Sequence, residues 1–277
     1  MLDKLDLVVE IEELLEECGY YPFGDDYCDN KYPYELITSP SINNGKFTIE
    51  NFLLWQNFIE SISWDEFVSD VELAIINCED DYPDIAEQYQ KFLDFIQEKF
   101  NYIQIYKVKL EEINEGENQF EEAHIYCIIG AIGNLWLGLT PRLDNEWYYG
   151  NTQSSNTNLT PEIKKVINTL KSDYQESLLL LSMAVDDCLT NCKTEVVYSR
   201  HLIIEKLLDS ACYCWSKNYI ANSKYKIGGK IDKLLRDNLS EVKKHYVWGV
   251  DGWFIYIGGI AEDGDWIGLY TREEYYY

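Results

Sequence analysis

Asp25, Asp26 and Asp29 fall within one polar stretch, "GDDYCDNKY", and Asp80-Asp81-Tyr82 again sets adjacent carboxylates beside a tyrosine. Carboxylates grouped this way suit two kinds of chemistry. They hold a cation, or they oppose a surface of lysine and arginine while nearby aromatics supply apolar anchors. Tyr20, Tyr21, Tyr27, Tyr32 and Tyr82 are the aromatics at hand, and the chain ends in "REEYYY", which adds Tyr276 and Tyr277. A merely solvated loop has the same composition, so the pattern alone leaves both readings open.

Other chemistry is harder to build from this chain. His124, His201 and His245 each sit in an apolar or strand-like run, none beside Ser or Cys in a nucleophile motif, and there is no Gly-rich phosphate loop. The pairs Glu111-Glu112 and Glu121-Glu122 flank a polar hairpin tip and read as solvated charge. Among the eight cysteines only Cys188-x3-Cys192 and Cys212-x-Cys214 are close, and neither spacing is that of a zinc site. The expectation is a protein that is not an enzyme and has no metal and no cofactor. No basic segment leads into an early apolar run and no apolar stretch is long enough to span a bilayer, so the expected location is the cytoplasm.

Charge points to a partner class. The chain carries a net charge of −26. Residues 1–150 hold 32 Asp+Glu and 8 Lys+Arg, a net of −24, whereas 151–277 hold 17 and 15, a net of −2. Such a field repels nucleic acid and anionic membrane and attracts a basic protein.

The positioning elements follow from hydrophobic period. In the first half Leu5, Val8, Val9, Glu12, Leu15 and Cys18 give a helix over about 3–18, and "PYELI" a short strand. Helical patterns cover 49–62, 64–76 and 83–100. "IQIYKVKL" alternates as a half-buried strand, and "HIYCIIG" and "LWLGLTP" form a hairpin turning at Gly133-Asn134. The stretch "GNTQSSNTNLTP" reads as a linker ending in a helix start, with Thr160 as N-cap and Pro161 at the first helical position. The second half then shows a helix over 161–185, a strand in "TEVVYS", helices over 200–217 and 229–238, a strand in "VKKHYVWGV", and a last hairpin of "WFIYIGG" and "DWIGLYTR" turning at Glu262-Asp263-Gly264.

The hairpins share a phrase. Trp136, Gly138, Leu139 and Arg142 match Trp266, Gly268, Leu269 and Arg272 at a constant offset of 130, and the elements follow the same order. The expected architecture is therefore α+β: two tandem copies of an antiparallel sheet flanked by helices, at 1–149 and 161–277, joined by 150–160. The phrase itself reads as structural, with the Trp covering a sheet face, the Gly admitting a helix, and the Arg pairing with a carboxylate at the rim.

Tyr32-Pro33-Tyr34-Glu35-Leu36, Tyr89-Gln90, Ile103-Gln104-Ile105-Tyr106-Lys107-Val108 and Gly138-Leu139-Thr140 together resemble the nuclease A inhibitor family, over about residues 5–142. The second half is similar only in its terminal strands, mainly Gly268-Leu269-Tyr270-Thr271. The resemblance implies an antiparallel sheet flanked by helices and a cytoplasmic protein that blocks a sugar-non-specific, metal-dependent nuclease through acidic loops and the C-terminus. It assigns the first contact to Asp29, four residues before Pro33, with Asp25 and Asp26 in the same loop, and a second contact to Asp80-Asp81-Tyr82. The chain departs from the family at one point. The first copy runs into a linker after its last strand, so the free terminus belongs to the less acidic second copy.

Two other readings stand beside the inhibitor. One is a non-enzymatic binding or regulatory module that docks through its sheet or tyrosine-rich tail, and the other is a DNA mimic acting on a DNA-binding protein. On the inhibitor reading, removing one partner of a buried charge pair costs about 2–5 kcal/mol. Asp29→Ala should then weaken target binding by tens-fold or more with the fold intact, and Asp186→Ala in the second half should do little. Nuclease protection by the two variants checks this.

Overall fold

The computed structural model describes residues 2–23, 32–39, 47–78, 85–109, 124–142, 160–174, 191–197, 200–210, 213–218, 226–249 and 252–274. Its described helices are α1 (Lys4–Glu17), α2 (Ile49–Trp55), α3 (Trp64–Cys78), α4 (Ile85–Lys99), α5 (Pro161–Asp173), α6 (Arg200–Ser210) and α7 (Lys226–Asn238). The strands are β1 (Glu35–Ser39), β2 (Ile59–Ile62), β3 (Tyr102–Lys109), β4 (His124–Ile132), β5 (Leu135–Arg142), β6 (Asn191–Val197), β7 (Cys214–Asn218), β8 (Ser240–Gly249), β9 (Gly252–Ile260) and β10 (Trp266–Glu274). The fold is α+β, with two antiparallel five-stranded sheets flanked by helices.

The sheets do not follow the halves of the chain. One runs β1-β10-β9-β8-β7 and the other β6-β5-β4-β3-β2. The first strand of each half is therefore inserted beside the last strand of the opposite half. Its register against the shared phrase is the same in both: Leu36 lies opposite Leu269 and Ile37 opposite Gly268, while Thr194 lies opposite Leu139 and Glu195 opposite Gly138. The compact units accordingly comprise 1–55 with 214–277, and 56–213, in place of the expected 1–149 and 161–277. Short-range pattern marks where strands are but not which neighbour they pair with, so the linker composition at 150–160 does not coincide with a boundary in the pairing.

In the first unit α1 and α7 pack on one face of the sheet. Leu7, Ile11 and Leu15 meet Ile231 and Leu235, and all five lie over Ile255, Ile257, Ile267 and Leu269. The helix read at 3–18 is confirmed, but Leu5 and Val9 are exposed, and the buried stripe is Leu7-Ile11-Leu15. Asp3 caps the helix, accepting from Asp6 N at 2.9 Å. A Schellman closure ends it: Gly19 N donates to Glu16 O at 3.2 Å and Tyr20 N to Leu15 O at 2.8 Å, with Gly19 at φ 61°. The short helix α2 covers the opposite sheet face with Phe52, which meets Tyr256 edge-on at 4.8 Å and lies 5.5 Å from Trp266.

The second unit repeats the layering with its own residues. Helices α3, α4 and α5 bury Phe67, Val71, Phe92, Ile96, Val166 and Leu170 against one face of its sheet. Helix α6 covers the other with Ile204, Leu207 and Leu208 above Tyr106, Cys127 and Ile129. Thr140 in β5 and Cys127 in β4 share a buried contact at 3.1 Å, and burial pushes the Cys127 thiol up to about 12, which leaves it inert.

Two expected helices are shorter. The pattern over 49–62 divides into α2 and β2, with Asn57 at φ 61° between them, and the pattern over 200–217 divides into α6 and β7. A three-residue break followed by four or five strand residues is too short to displace a 3.6-residue period from sequence alone. A third, expected over 161–185, is described as α5 to Asp173 with Tyr174 as C-cap, and 175–185 lie outside the described residues. Both hairpin turns are where they were expected, with Gly133 at φ 58° and Gly264 at φ 89°.

The interleaving has a direct test. Co-expressed as separate chains, 1–149 and 150–277 should copurify as a one-to-one complex with the native mass, because β1–β10 and β5–β6 pairing joins them. Separate elution on size exclusion would mean that each half folds independently.

Candidate functional site

Among the sequence-predicted site residues, Tyr32 is described, whereas Asp25, Asp26, Asp29, Asp80, Asp81, Tyr82, Tyr276 and Tyr277 lie outside the described residues. The described segments nonetheless show where the two predicted segments of the first unit begin and end. The chain leaves the α1 closure through Tyr21, the buried Pro22 and Phe23, whose ring meets Tyr34 edge-on at 5.2 Å. Gly228 of α7 makes room for this passage, since a Cβ there would stand 2.6 Å from Pro22 O and 2.8 Å from the Phe23 ring. Tyr34 N donates to Tyr20 O at 2.9 Å, so both ends of residues 24–31 are fixed to one rim of the sheet.

That same rim is the end of β10. Tyr32 N donates to Arg272 O at 2.9 Å and Tyr32 O accepts from Thr271 Oγ1 at 2.5 Å, which extends the β1–β10 ladder past the strand. Beyond Glu274 the chain continues into 275–277. The foot of the predicted acidic loop and the foot of the C-terminal segment are therefore hydrogen-bonded neighbours, although they come from opposite halves of the sequence.

The side chains at this rim are aromatic and cationic. The Arg272 guanidinium lies 5.9 Å from the Tyr32 ring centre and 5.5 Å from that of Phe254. Phe254 stacks on Tyr270 at 6.4 Å, and Tyr270 lies 5.0 Å from Tyr256. An aromatic row thus runs along one sheet face, from half-buried Phe254 and Tyr270 at the rim to the residues beneath α2. Tyr32 is 47% exposed.

The shared phrase turns out to pack differently in the two units. Trp266 lies across its own sheet: a Cβ on Gly258 or Gly268 would fall 2.6 Å and 2.4 Å from the indole. Gly138 instead makes room for Leu207 of α6, which would stand 2.6 Å from a Cβ there, as expected of it, and Trp136 meets Tyr102 edge-on at 5.7 Å. The glycine expected to admit a helix does so in one unit and seats a tryptophan in the other. Among the described residues the Trp266 indole N–H has no hydrogen-bond partner.

Three polar groupings escaped the sequence reading. In the second unit Tyr126 donates to Asp70 at 2.7 Å and lies 2.9 Å from His124 Nε2, while Lys107 Nζ is 3.4 Å from the same Asp70 oxygen. Burial, then the Asp70 hydrogen bond, pushes the Tyr126 phenol well above its usual range, so it stays a neutral donor. With its single proton committed to Asp70, Tyr126 accepts from His124. On the other face Arg200 Nη2 donates to Tyr106 Oη at 2.8 Å and Arg200 Nε to Gln104 Oε1 at 2.9 Å. In the first unit Ser216 and His245 face each other across β7 and β8 at 2.6 Å, a pairing that the helical pattern over 200–217 conceals.

The Ser216–His245 pair resembles half of a nucleophilic site, but its electrostatics oppose that role. His245 is 3% exposed, and Phe47 and Phe52 lie 5.9 and 6.1 Å from its ring. Burial, then the Lys243 charge, lowers it from 6.5 to about 4, which makes it a weak base. No group of three or more metal-ligating side chains occurs among the described residues, and no described helix is long and apolar enough to cross a membrane. No family model, curated protein or solved structure matches the chain.

The neutral buried His245 makes stability depend on pH. The unfolded chain takes up its proton near 6.5 and the folded chain only near 4, so stability is complete above 6.5 and falls as pH drops through that window. A shift of this size is worth about 3 kcal/mol. Urea denaturation from pH 7 to 4 should show wild type losing about that much more than His245→Gln. Parallel curves would remove His245 from the account.

Proposed function

We propose that this chain is an acidic inhibitor or immunity-type protein. It captures a basic protein, a metal-dependent nuclease in the first instance, through the rim where residues 24–31 and 275–277 arise. The supporting observation is the pairing of β1 with β10. The family that the first half resembles uses an acidic loop together with a chain terminus, and in the linear sequence these belong to different halves. Pairing across the halves attaches both to one rim, with Tyr32, Arg272 and Phe254 between their feet. Carboxylates from the loop would oppose the lysines and arginines of a phosphate-binding cleft, and the exposed rings would supply apolar anchors.

Charge follows the same reassignment. The unit made of 1–55 and 214–277 holds 21 Asp+Glu and 12 Lys+Arg, a net of −9, and the unit 56–213 holds 28 and 11, a net of −17. Both units are acidic, in contrast to the −24 and −2 of the linear halves. Within the first unit the excess lies wholly in 1–55, with 12 acidic and 3 basic residues.

The test is inhibition of a basic, sugar-non-specific, metal-dependent nuclease by the full chain. The association rate should fall steeply from low to high salt, since fields beyond about 8 Å are screened at physiological ionic strength. Removing Tyr275–Tyr277 and neutralising Asp25, Asp26 and Asp29 should each weaken inhibition. A rate that ignores salt, or inhibition that survives both changes, would overturn the rim.

A further inference from the structure

Helix α1 carries two apolar stripes, and only one of them is used inside the fold. Leu7, Ile11 and Leu15 are buried against α7 and the sheet. Leu5 and Val9, one turn apart, project from the opposite side, 72% and 45% exposed. At 100° per residue these two share the centre of the outer face. Exposed Glu12 and Glu16 continue the same line toward the helix C-terminus, and Asp6, Glu10, Glu13 and Glu17 run along one flank. The only lysine of the helix, Lys4, turns away to Asp265 and Asp263 at the β9–β10 turn. Lys230 of α7 reaches Glu17 at 3.6 Å, at the far end from the apolar stripe.

Resting on the reading of a basic partner, we infer that the outer face of α1 is a docking surface for a cationic amphipathic segment of that partner. Apolar side chains of the segment would cover Leu5 and Val9, and its lysines or arginines would meet the glutamate flank. Charge selects this occupant. A second copy of the chain would bring one row of carboxylates against another, which is repulsive, whereas a basic segment is attracted by the row and oriented by it. The stripe makes a distinction that charge alone does not make, because it favours cationic partners with an apolar face over equally cationic ones without it.

The probes are a synthetic amphipathic helix of leucine and lysine and a scrambled peptide of the same composition, each titrated with the full-length protein by fluorescence anisotropy at physiological salt. Wild type should bind the amphipathic peptide roughly tenfold or more tightly than the scramble. Leu5→Ser with Val9→Ser should abolish the preference and leave the scramble unchanged. Both positions are exposed, so circular dichroism and thermal midpoint should match wild type. Equal binding of the two peptides by wild type, or a preference that survives the double substitution, would overturn the docking surface. Neutralising Asp25, Asp26 and Asp29 separates the two ideas. Unchanged nuclease inhibition in that variant counts against the rim, and an unchanged peptide preference leaves the α1 surface standing.

Discussion

The constraint on which the rest depends is the pairing of an edge strand with the last strand of the other half. β1 contributes five residue pairs to β10 and β6 seven to β5. Each backbone hydrogen bond in such a ladder contributes only about 0.5–1.5 kcal/mol net, but leaving a buried partner unpaired costs more. Strands β10 and β5 lie inside their sheets, with Leu269 and Leu139 fully buried. Without the inserted strand each would present an open, apolar edge. The insertion therefore closes both sheets at once and ties residues 1–55 to 214–277.

The same topology governs how the helices are shared. α1 and α2 follow β1 into the first unit, so residues 1–55 supply both the helix on one sheet face and the cover on the other. α5 and α6 follow β6 into the second unit in the same way. Order and register are alike in the two sheets, yet their packing details are not. Gly258 beneath Trp266 has Ile129 as its counterpart opposite Gly138, so no second glycine clears a bed for Trp136 and a leucine of α6 takes the space above Gly138. One residue at a sheet centre thus decides whether the phrase seats an indole or a helix.

The polar groupings divide along similar lines. Asp70, Tyr126, His124 and Lys107 form a connected network at the edge of a buried face, and the β9 position that pairs as Tyr126 does is the apolar Ile255. In a low-dielectric setting a fully satisfied network of this kind fixes side-chain orientation more than it adds stability. The rim around Tyr32 differs in being half-exposed and aromatic.

Much of the local structure was legible in the sequence, because period, caps and turns are encoded by neighbours a few residues apart. The helix α1, the α5 start at Thr160-Pro161, the strands around Tyr106, Ile128 and Ile257, and the glycine turns at 133 and 264 all follow from such signals. The α+β class followed from their order. Two short strands at Ile59–Ile62 and Cys214–Asn218 were lost inside helical patterns, since four or five residues carry too little period to compete. Only the tertiary structure decided which strand lies beside which. A strand's own residues specify its faces, but its edges are generic N–H and C=O groups that any strand can satisfy. For that reason the sequence could name Asp29 and Tyr277 as candidates and assign them to separate halves. The hydrogen bond from Tyr32 to Arg272 makes their attachment points neighbours.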